Sequence, residues 1–317
     1  MYPQAEISDL PWEPTLTDPL SPTVVADDAP WLALVVGNSR LHWAAFWGEQ
    51  ILGLWHTPHL SEAQAQGLIQ DTFAPSAWAA LAADFGLRSW PWEVGPSEGS
   101  LWDGPGFSPP PPLWLASVVQ NQGQIWHTYD RCVAVTTENV PLGNRYATLG
   151  VDRALALVGA GDVWGWPVLV VDGGTALTLT AGVAGDLVGG ALWPGLRAQF
   201  RALHDYTDGL PLVSPAFGGA VNTPVVSPWT TTLPPRWATT TAEAMVSGVV
   251  YGQLAGLRDF IADWRQIHTQ GRVVFTGGDG PALAAALITQ IPAWEAFIQV
   301  EAALTFWGLR VCRRGWG

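Results

Sequence analysis

Short apolar runs and longer amphipathic segments alternate along most of the chain. In the first half, the apolar runs that predict buried strands are residues 31–36, 113–119 and 132–137. Residues 41–57 alternate between apolar and polar side chains, which predicts a β-hairpin with its turn at Gly48 and Glu49. Residues 61–86 are rich in Ala and Gln at helical spacing. The first half therefore combines a strand ladder with helical segments.

The second half repeats this order of elements. Its predicted strands are residues 167–172, 176–181, 186–192 and the apolar start of 273–280. Its predicted helices are residues 194–204, 240–263 and 281–290, preceded by a helix over 150–161 that ends at Gly161. Residues 297–307 predict a strand followed by a helix. The pattern predicts an α/β fold made of two similar halves.

Three segments lack such periodicity. Residues 1–30, rich in Pro, Asp, Glu, Ser and Thr, predict a flexible extension. Residues 91–112 predict a loop that contains GPSEGS and four consecutive prolines, which favour an extended spacer over a proline-recognition ligand. Residues 211–239 predict a second loop, rich in Pro and Thr.

The composition excludes several kinds of chemistry that depend on lysine. The chain has 317 residues, of which 48% are hydrophobic and 13% charged, so it can bury a sizeable core. All 14 basic residues are arginines. Without lysine there can be no P-loop lysine, no Schiff-base lysine and no kinase-type strand lysine. Any bound phosphate must be held by backbone N–H groups, arginine, hydroxyl groups or a metal ion.

The net charge and the cysteine and histidine residues limit the classes of partner and ligand that the protein can bind. A net charge of −13 argues against binding to nucleic acid or to anionic membranes, both of which need basic surface. We expect no membrane span and no signal peptide, and therefore a cytoplasmic protein. Cys132 and Cys312 are expected to be reduced packing residues, and the histidines lack zinc-protease spacing.

Two of the apolar runs end in similar glycine turns. LVVGNS turns at Gly37, and LVVDGGT turns at Gly173 and Gly174. Such turns expose backbone N–H groups that can bind an anion. Asp172 stands at the mouth of the second turn, where a carboxylate makes sense beside an anion only with a cation or a catalytic proton nearby. The matching residue of the first turn is Val35, and an ordinary Asp-Gly turn is the alternative for the second.

Two further motifs carry candidate chemistry. GVDR, at residues 150–153, places Asp152 and Arg153 at a predicted helix N-terminus. The carboxylate could complement the helix dipole, or it could act as a general base beside an anion-binding guanidinium. VVFTGGDG, at residues 273–280, could hold a phosphate, admit a flat ring to the backbone, or form a plain strand-to-helix turn.

Taken in order, these motifs resemble those of the type III pantothenate kinases, which belong to the superfamily of acetate and sugar kinases, Hsp70 and actin. The matching motifs are LVVGNS, Tyr146 with GVDR, DGGTALT, GGALWPG, TDGLP, TTAEAMVSG and TGG, within about residues 32–310. The resemblance implies two ribonuclease-H-like domains, 31–165 and 166–317, with the active site in the cleft between them. The last helix is expected to return to the first domain.

The resemblance also implies an activity, the phosphorylation of the terminal hydroxyl of pantothenate by ATP. Asp152 would accept the hydroxyl proton. The pantothenate pocket would be lined by Tyr146, Gly150, Val151, Asp152, Arg153 and Thr241, with the Arg153 guanidinium available to an anionic group. A homodimer is implied whose interface completes this pocket, and the helix over 240–263 is the candidate contact.

The nucleotide and its cations are implied in the same way. The residues implied for ATP are Gly37, Asn38, Ser39, Arg40, Gly174, Thr175, Gly277 and Gly278, the last two against the adenosine. Asp172 would hold K⁺ or NH₄⁺ beside the phosphates, and Mg²⁺ would accompany ATP.

Val35 departs from the family pattern, which has an aspartate at this place that helps to organise Mg²⁺ and its waters. Val35 favours one alternative, a non-catalytic relative that kept the fold. A separate alternative is a kinase for another small alcohol, which the GVDR and TTAEAM motifs make less fitting. The joint presence of Asp152, Arg153, Asp172 and Thr241 favours an active pantothenate kinase.

Overall fold

The structure is a computed structural model. It describes residues 29–87, 92–94, 110–213 and 233–316. Nearly all of the predicted N-terminal extension lies outside these residues, as do the GPSEGS segment and the middle of the Pro/Thr-rich loop.

The first sheet has six strands within the described residues. They are β1 (Pro30–Val36), β2 (Leu41–Trp47), β3 (Gln50–Thr57), β4 (Trp92–Val94), β5 (Leu113–Ser117) and β6 (Cys132–Val135). The order across the sheet is β4-β3-β2-β1-β5-β6. β1 to β4 pair antiparallel, whereas β5 pairs parallel with β1 and β6 parallel with β5. The predicted hairpin is confirmed, with Gly48 and Glu49 between its strands.

The second sheet repeats this topology with five strands. They are β7 (Val168–Gly173), β8 (Ala176–Val183), β9 (Asp186–Pro194), β10 (Arg272–Thr276) and β11 (Ile298–Val300). Their order is β11-β10-β7-β8-β9, with an antiparallel β7-β8-β9 ladder and parallel β7-β10-β11 pairing. Each sheet thus has a ribonuclease-H-like order. The expected fold of two such halves is confirmed.

The helices of the described residues are α1 (Glu62–Gln70), α2 (Pro75–Asp84), α3 (Gln120–Trp126), α4 (Val151–Trp164), α5 (Leu196–Asp205), α6 (Thr241–Ile267), α7 (Gly280–Gln290) and α8 (Leu304–Arg314). None of them is long and apolar enough to cross a membrane.

Three helical details differ from the prediction. The segment 61–86 forms two helices, because Pro75 begins α2 and positive φ angles at Thr72 and Phe73 turn the chain before it. α4 does not end at Gly161 but continues to Trp164, before Gly165 with φ 77°. The short polar helix α3 has no clear periodicity in sequence and was not predicted.

The apolar core forms three clusters arranged around the two sheets. One cluster joins the facing sides of both sheets through α4 and α8. The outer side of the first sheet is covered by α1, α2 and α3, and the outer side of the second by α5, α6 and α7. α8 follows the second sheet in sequence but packs on α4 and β1.

Two glycines set the close approach of α4 and α8. A Cβ atom at Gly159 would lie 2.3 Å from the Leu304 carbonyl oxygen, and one at Gly308 would lie 2.1 Å from that of Leu155. Ion pairs also join the C-terminal ends of the two helices. Asp162 of α4 binds Arg310 of α8 at 2.6 Å and Arg314 of α8 at 2.9 Å. Backbone contact and charge therefore fix the same pair of helices.

We predict that Gly308→Ala destabilises the protein by about 1–3 kcal/mol, because a methyl group forces the two helices apart. Urea unfolding followed by far-UV circular dichroism measures the change. Gly67→Ala is the matched control, since Gly67 is also helical and an added Cβ atom there meets nothing within 4 Å. It should be neutral or stabilise by up to about 1 kcal/mol. Equal effects of the two variants would contradict the close approach.

Candidate active site

The first glycine turn follows β1. The Gly37 N–H donates to the Arg40 carbonyl at 3.0 Å, which closes the turn and leaves Asn38 and Ser39 exposed. Val35, by contrast, is only 4% exposed and belongs to the cluster between the sheets. The first turn therefore offers backbone and hydroxyl donors but no carboxylate from residue 35.

The second glycine turn follows β7 at the equivalent place of the second sheet. The Gly174 N–H donates to the Ala176 carbonyl at 3.1 Å, and Thr175 is exposed. The hydroxyl groups of Ser39 and Thr175 are hydrogen-bonded at 2.8 Å, although 136 residues separate them in sequence. The two turns predicted as equivalents are thus brought together.

The third turn, after β10, packs directly on the second. Gly277 has φ 77°, and a Cβ atom there would lie 2.2 Å from Oδ1 of Asp172. The Asp279 N–H donates to the Gly173 carbonyl at 2.8 Å. Only glycine fits at position 277, and the contact places Gly277 and Gly278 beside the Asp172 carboxylate.

Gly195, which ends the GGALWPG motif, supports the second turn from another side. Its N–H donates to the Thr175 carbonyl at 3.1 Å. A Cβ atom at this position would lie 2.4 Å from the Gly174 carbonyl oxygen. The motif therefore supports the second glycine turn by backbone contact.

The GVDR motif begins α4, as predicted. Gly150 is the extended residue before the helix, and the Arg153 N–H donates to Oδ1 of Asp152 at 2.8 Å. A Cβ atom at Gly150 would lie 2.5 Å from that same oxygen, so glycine permits the carboxylate to fold back over the helix start. Val151, the first residue of the helix, is buried.

Arg153 is buried and strongly bonded within the protein. Its Nε donates to the Thr180 hydroxyl at 3.0 Å, and its two terminal nitrogens donate to the Tyr146 hydroxyl at 2.7 Å and the Leu179 carbonyl at 3.1 Å. A Cβ atom at Gly190 would lie 2.6 Å from the guanidinium. Three of the five guanidinium N–H groups are used, so two remain for a ligand.

The carboxyl groups of this region resist ionisation. Burial raises the pKa of Asp152, although the Arg153 N–H and charge oppose the shift. Burial and the neighbouring Asp152 carboxylate raise the pKa of Asp172 to about 7, against the influence of Arg153. Burial also raises the pKa of Asp279 to about 6, and Arg197 opposes it. Negative charge is therefore costly here unless a cation neutralises it.

Thr241 lies apart from this cluster in the described residues. It is the first residue of α6 and lines a cavity of about 720 Å³ between α5 and α6, together with Tyr206, Leu210 and Met245. No hydrogen bond joins Thr241 to Asp152 or Arg153 in the part of the chain that the structure describes.

The comparisons with known proteins agree with this geometry. The model of the type III pantothenate kinase family matches residues 106–263. A type III pantothenate kinase from Nostoc sp. is 41% identical over 290 residues, which cover 90% of this chain and 95% of the relative. The same enzyme from Synechocystis sp. is 37% identical over 272 residues, 84% of this chain and 86% of the relative.

The chain belongs to the type III pantothenate kinase family. A solved structure from Campylobacter jejuni, described as a candidate Baf family transcriptional activator, superposes with a TM-score of 0.51 over 90% of this chain and 98% of its own. At 15% identity it supports the fold alone.

Several residues of this kinase site are not evident from the motifs alone. Thr180 and Leu179 bind Arg153 from β8, and the short side-chain and backbone groups involved carry no sequence signal of their own. Gly190 and Gly195 lie in a recognised motif, but their contacts become visible only in three dimensions. The alternation of LTLT did predict the strand that carries Thr180.

We predict that Asp172→Asn stabilises the ligand-free kinase, and that the gain increases from about pH 4 to about pH 7. The folded state holds the Asp172 proton up to about pH 7, whereas an unfolded Asp loses it near pH 4, so the wild type loses stability over this interval. Urea unfolding in buffer free of K⁺ and NH₄⁺ measures the difference. The exposed Asp84→Asn is the control, and a gain for Asp172→Asn that does not change with pH would contradict the prediction.

Proposed function

We propose that this chain transfers the γ-phosphoryl group of ATP to the terminal hydroxyl of pantothenate, the first step of coenzyme A biosynthesis. The observation that carries the proposal is the position of Asp152, a carboxylate at the start of α4 that interacts electrostatically with Asp172 in the second phosphate turn. A base that serves an attacking alcohol has to stand within reach of the phosphates. Family membership supports the same activity.

Asp152 would act as the proton acceptor. As the pantothenate oxygen bonds to the γ-phosphorus, the hydroxyl proton passes to the carboxylate and the bond between the γ-phosphorus and ADP breaks. Its raised pKa makes Asp152 a better base than an exposed aspartate. Phosphoryl transfer depends mainly on positioning and charge neutralisation, so no covalent step on the protein is required.

The residues around Asp152 would hold pantothenate. Tyr146 is 44% exposed and is oriented by Arg153, whose two remaining N–H groups can bind the pantothenate carboxylate. Gly150 and Val151 would contribute the backbone at the helix start. Thr241, in the groove between α5 and α6, would reach this pocket through the homodimer proposed below.

The nucleotide would bind across the three turns. Asn38, Ser39 and Arg40 of the first turn and Gly174 and Thr175 of the second would contact the phosphates. Gly37 would shape the first turn, while Gly277 and Gly278 would pack against the adenosine.

Cations would neutralise the site. Asp172 is half-buried, lies against the glycine backbones at 174 and 277, and has a raised pKa, which fits a carboxylate that pairs with K⁺ or NH₄⁺. No group of three or more His, Cys, Asp or Glu side chains that could hold a metal ion occurs in the described residues. Mg²⁺ would therefore arrive as the ATP complex, held mainly by phosphates and water.

Val35 supports the non-catalytic alternative only weakly. A catalytically dead relative has no chemical need for Asp152, for an Arg153 fixed by three hydrogen bonds, or for a half-buried Asp172. Since Mg²⁺ usually keeps several waters, the loss of one carboxylate leaves catalysis feasible. Substrate competition with other small alcohols would address the remaining alternative.

We predict that Asp152→Asn lowers kcat at least about a hundredfold, because an amide cannot accept the hydroxyl proton. The assay follows phosphopantothenate formed from pantothenate, ATP, Mg²⁺ and K⁺, and Asp84→Asn serves as the control with full activity. Binding of ATP by calorimetry should be retained in Asp152→Asn. Wild type without product would refute the proposed kinase, and an active Asp152→Asn would refute the assigned base.

We further propose that the kinase is a cytoplasmic homodimer, and that the groove between α5 and α6 is the contact. The groove is mainly apolar, and Tyr206 and Trp237 nearby are each 89% exposed. Apolar surface of this kind is typical of protein interfaces. A location where ATP and small metabolites are available fits the proposed reaction.

Sedimentation velocity tests the homodimer. We predict that the wild type sediments as a dimer and that Tyr206→Asp sediments as a monomer, because the buried charge would be unpaired in the interface. Ile267→Asp is the control, since Ile267 is an exposed apolar residue at the far end of α6. A monomeric wild type would contradict the proposal, and a dimeric Tyr206→Asp would move the contact elsewhere.

A further inference from the structure

We propose that His59 is a positioning residue for ATP, which sets the orientation of the first phosphate turn without touching the nucleotide. The inference rests on the proposed function, because it assigns the turn after β1 to phosphate binding. His59 lies in the loop after β3, outside every motif that led to the family.

The decisive contact is a hydrogen bond of 2.8 Å between Nε2 of His59 and the Gly37 carbonyl oxygen. A carbonyl oxygen can only accept, so Nε2 of His59 must carry the proton. The histidine is half-buried, and 22 residues separate it from Gly37. The bond therefore connects the turn after β1 to the loop after β3.

This bond fixes the donor that follows it in the chain. In a planar trans peptide, the C=O of one residue and the N–H of the next point in opposite directions. Because His59 holds the Gly37 carbonyl, the Asn38 N–H is directed to the other side of that peptide. A phosphate turn works through such aligned N–H groups, so their direction determines how well the nucleotide binds.

Two further histidines, His42 and His56, support the turn from β2 and β3. Nε2 of His42 would lie 3.3 Å from a Cβ atom at Gly37, so its ring packs against the glycine. Nδ1 of His42 and Nδ1 of His56 are hydrogen-bonded at 2.9 Å, which fixes the ring. His42 is also the cross-strand partner of Val35, at the place where the family has its aspartate. The turn is thus held by imidazole hydrogen bonds and packing.

The residue composition of the first turn makes its phosphate affinity depend on this support. With no lysine in the sequence and no carboxylate at position 35 to help organise Mg²⁺, Arg40 is the charged residue of the first turn. Its affinity then depends on the geometry of the Asn38 N–H and of the Ser39 hydroxyl, which already contacts Thr175. A small rotation of the Gly37–Asn38 peptide would weaken nucleotide binding.

Three variants of His59 distinguish the effect of its hydrogen bond from the effect of its side-chain volume. Gln places its amide nitrogen about where Nε2 of histidine lies, Asn places it about where Nδ1 lies, and Ala has no donor. We expect His59→Ala and His59→Asn to raise the KM for ATP about five- to tenfold, as for the loss of one hydrogen bond. His59→Gln should stay within about twofold of wild type. The KM for pantothenate should change less than about twofold in all three.

The exposed His127→Ala, at the end of α3, is the control and should behave as wild type. An unchanged KM for ATP in His59→Ala would overturn the inference. So would an equal rise of both KM values with a lower melting temperature and no rescue by Gln, which is the signature of a purely structural role.

Calorimetry with a non-hydrolysable ATP analogue separates this inference from the proposed function. If the wild type forms no phosphopantothenate but binds the analogue, and His59→Ala binds it more weakly, then the positioning role stands and the kinase assignment fails. If His59→Ala binds as tightly as wild type, the positioning role fails alone. A wild type that binds no analogue overturns both.

Discussion

The close packing of glycine backbones around the end of β7 is the constraint on which the site depends. Gly277 lies against Asp172, and Gly195 lies against the carbonyls of Gly174 and Thr175, at distances that leave no room for a side chain. The segments that begin at Gly195 and Gly277 therefore approach the second glycine turn without side chains between them. This packing concentrates N–H groups in a small volume, and it gives the site donors that do not need to be charged.

The same packing makes negative charge at the site unfavourable unless cations compensate it. Asp152, Asp172 and Asp279 all have raised pKa values because the protein removes water from around them. In a lysine-free chain, the negative triphosphate cannot be balanced by side chains of these turns alone. In the proposed function, cations that arrive with the nucleotide, or that bind at Asp172, would complete the charge balance. Nucleotide and ions would consequently bind as one unit.

Local signals predicted an α/β fold of two similar halves, and the family resemblance implied the ribonuclease-H-like domains. Apolar runs, the Gly48-Glu49 turn and the glycines after β1, β7 and β10 each specify their own element, and the two repeated ladders follow from their order. The partners of Arg153 could not be predicted, since Thr180 and Leu179 reach it only through the register of β8 with its neighbours. The prediction of a helix end at Gly161 was wrong, because this glycine makes room for the ring of Trp166 and does not end the helix.

The return of α8 to the first sheet has a consequence for biosynthesis. Residues 304–314 cover apolar surface on α4 and β1 that was translated far earlier, and Arg314 and Glu49 join them across 265 positions. Until this helix leaves the ribosome, the apolar surface of α4 and β1 that it covers lacks this partner. The nascent chain thus carries an exposed apolar face through most of its synthesis, which is the state that chaperones recognise.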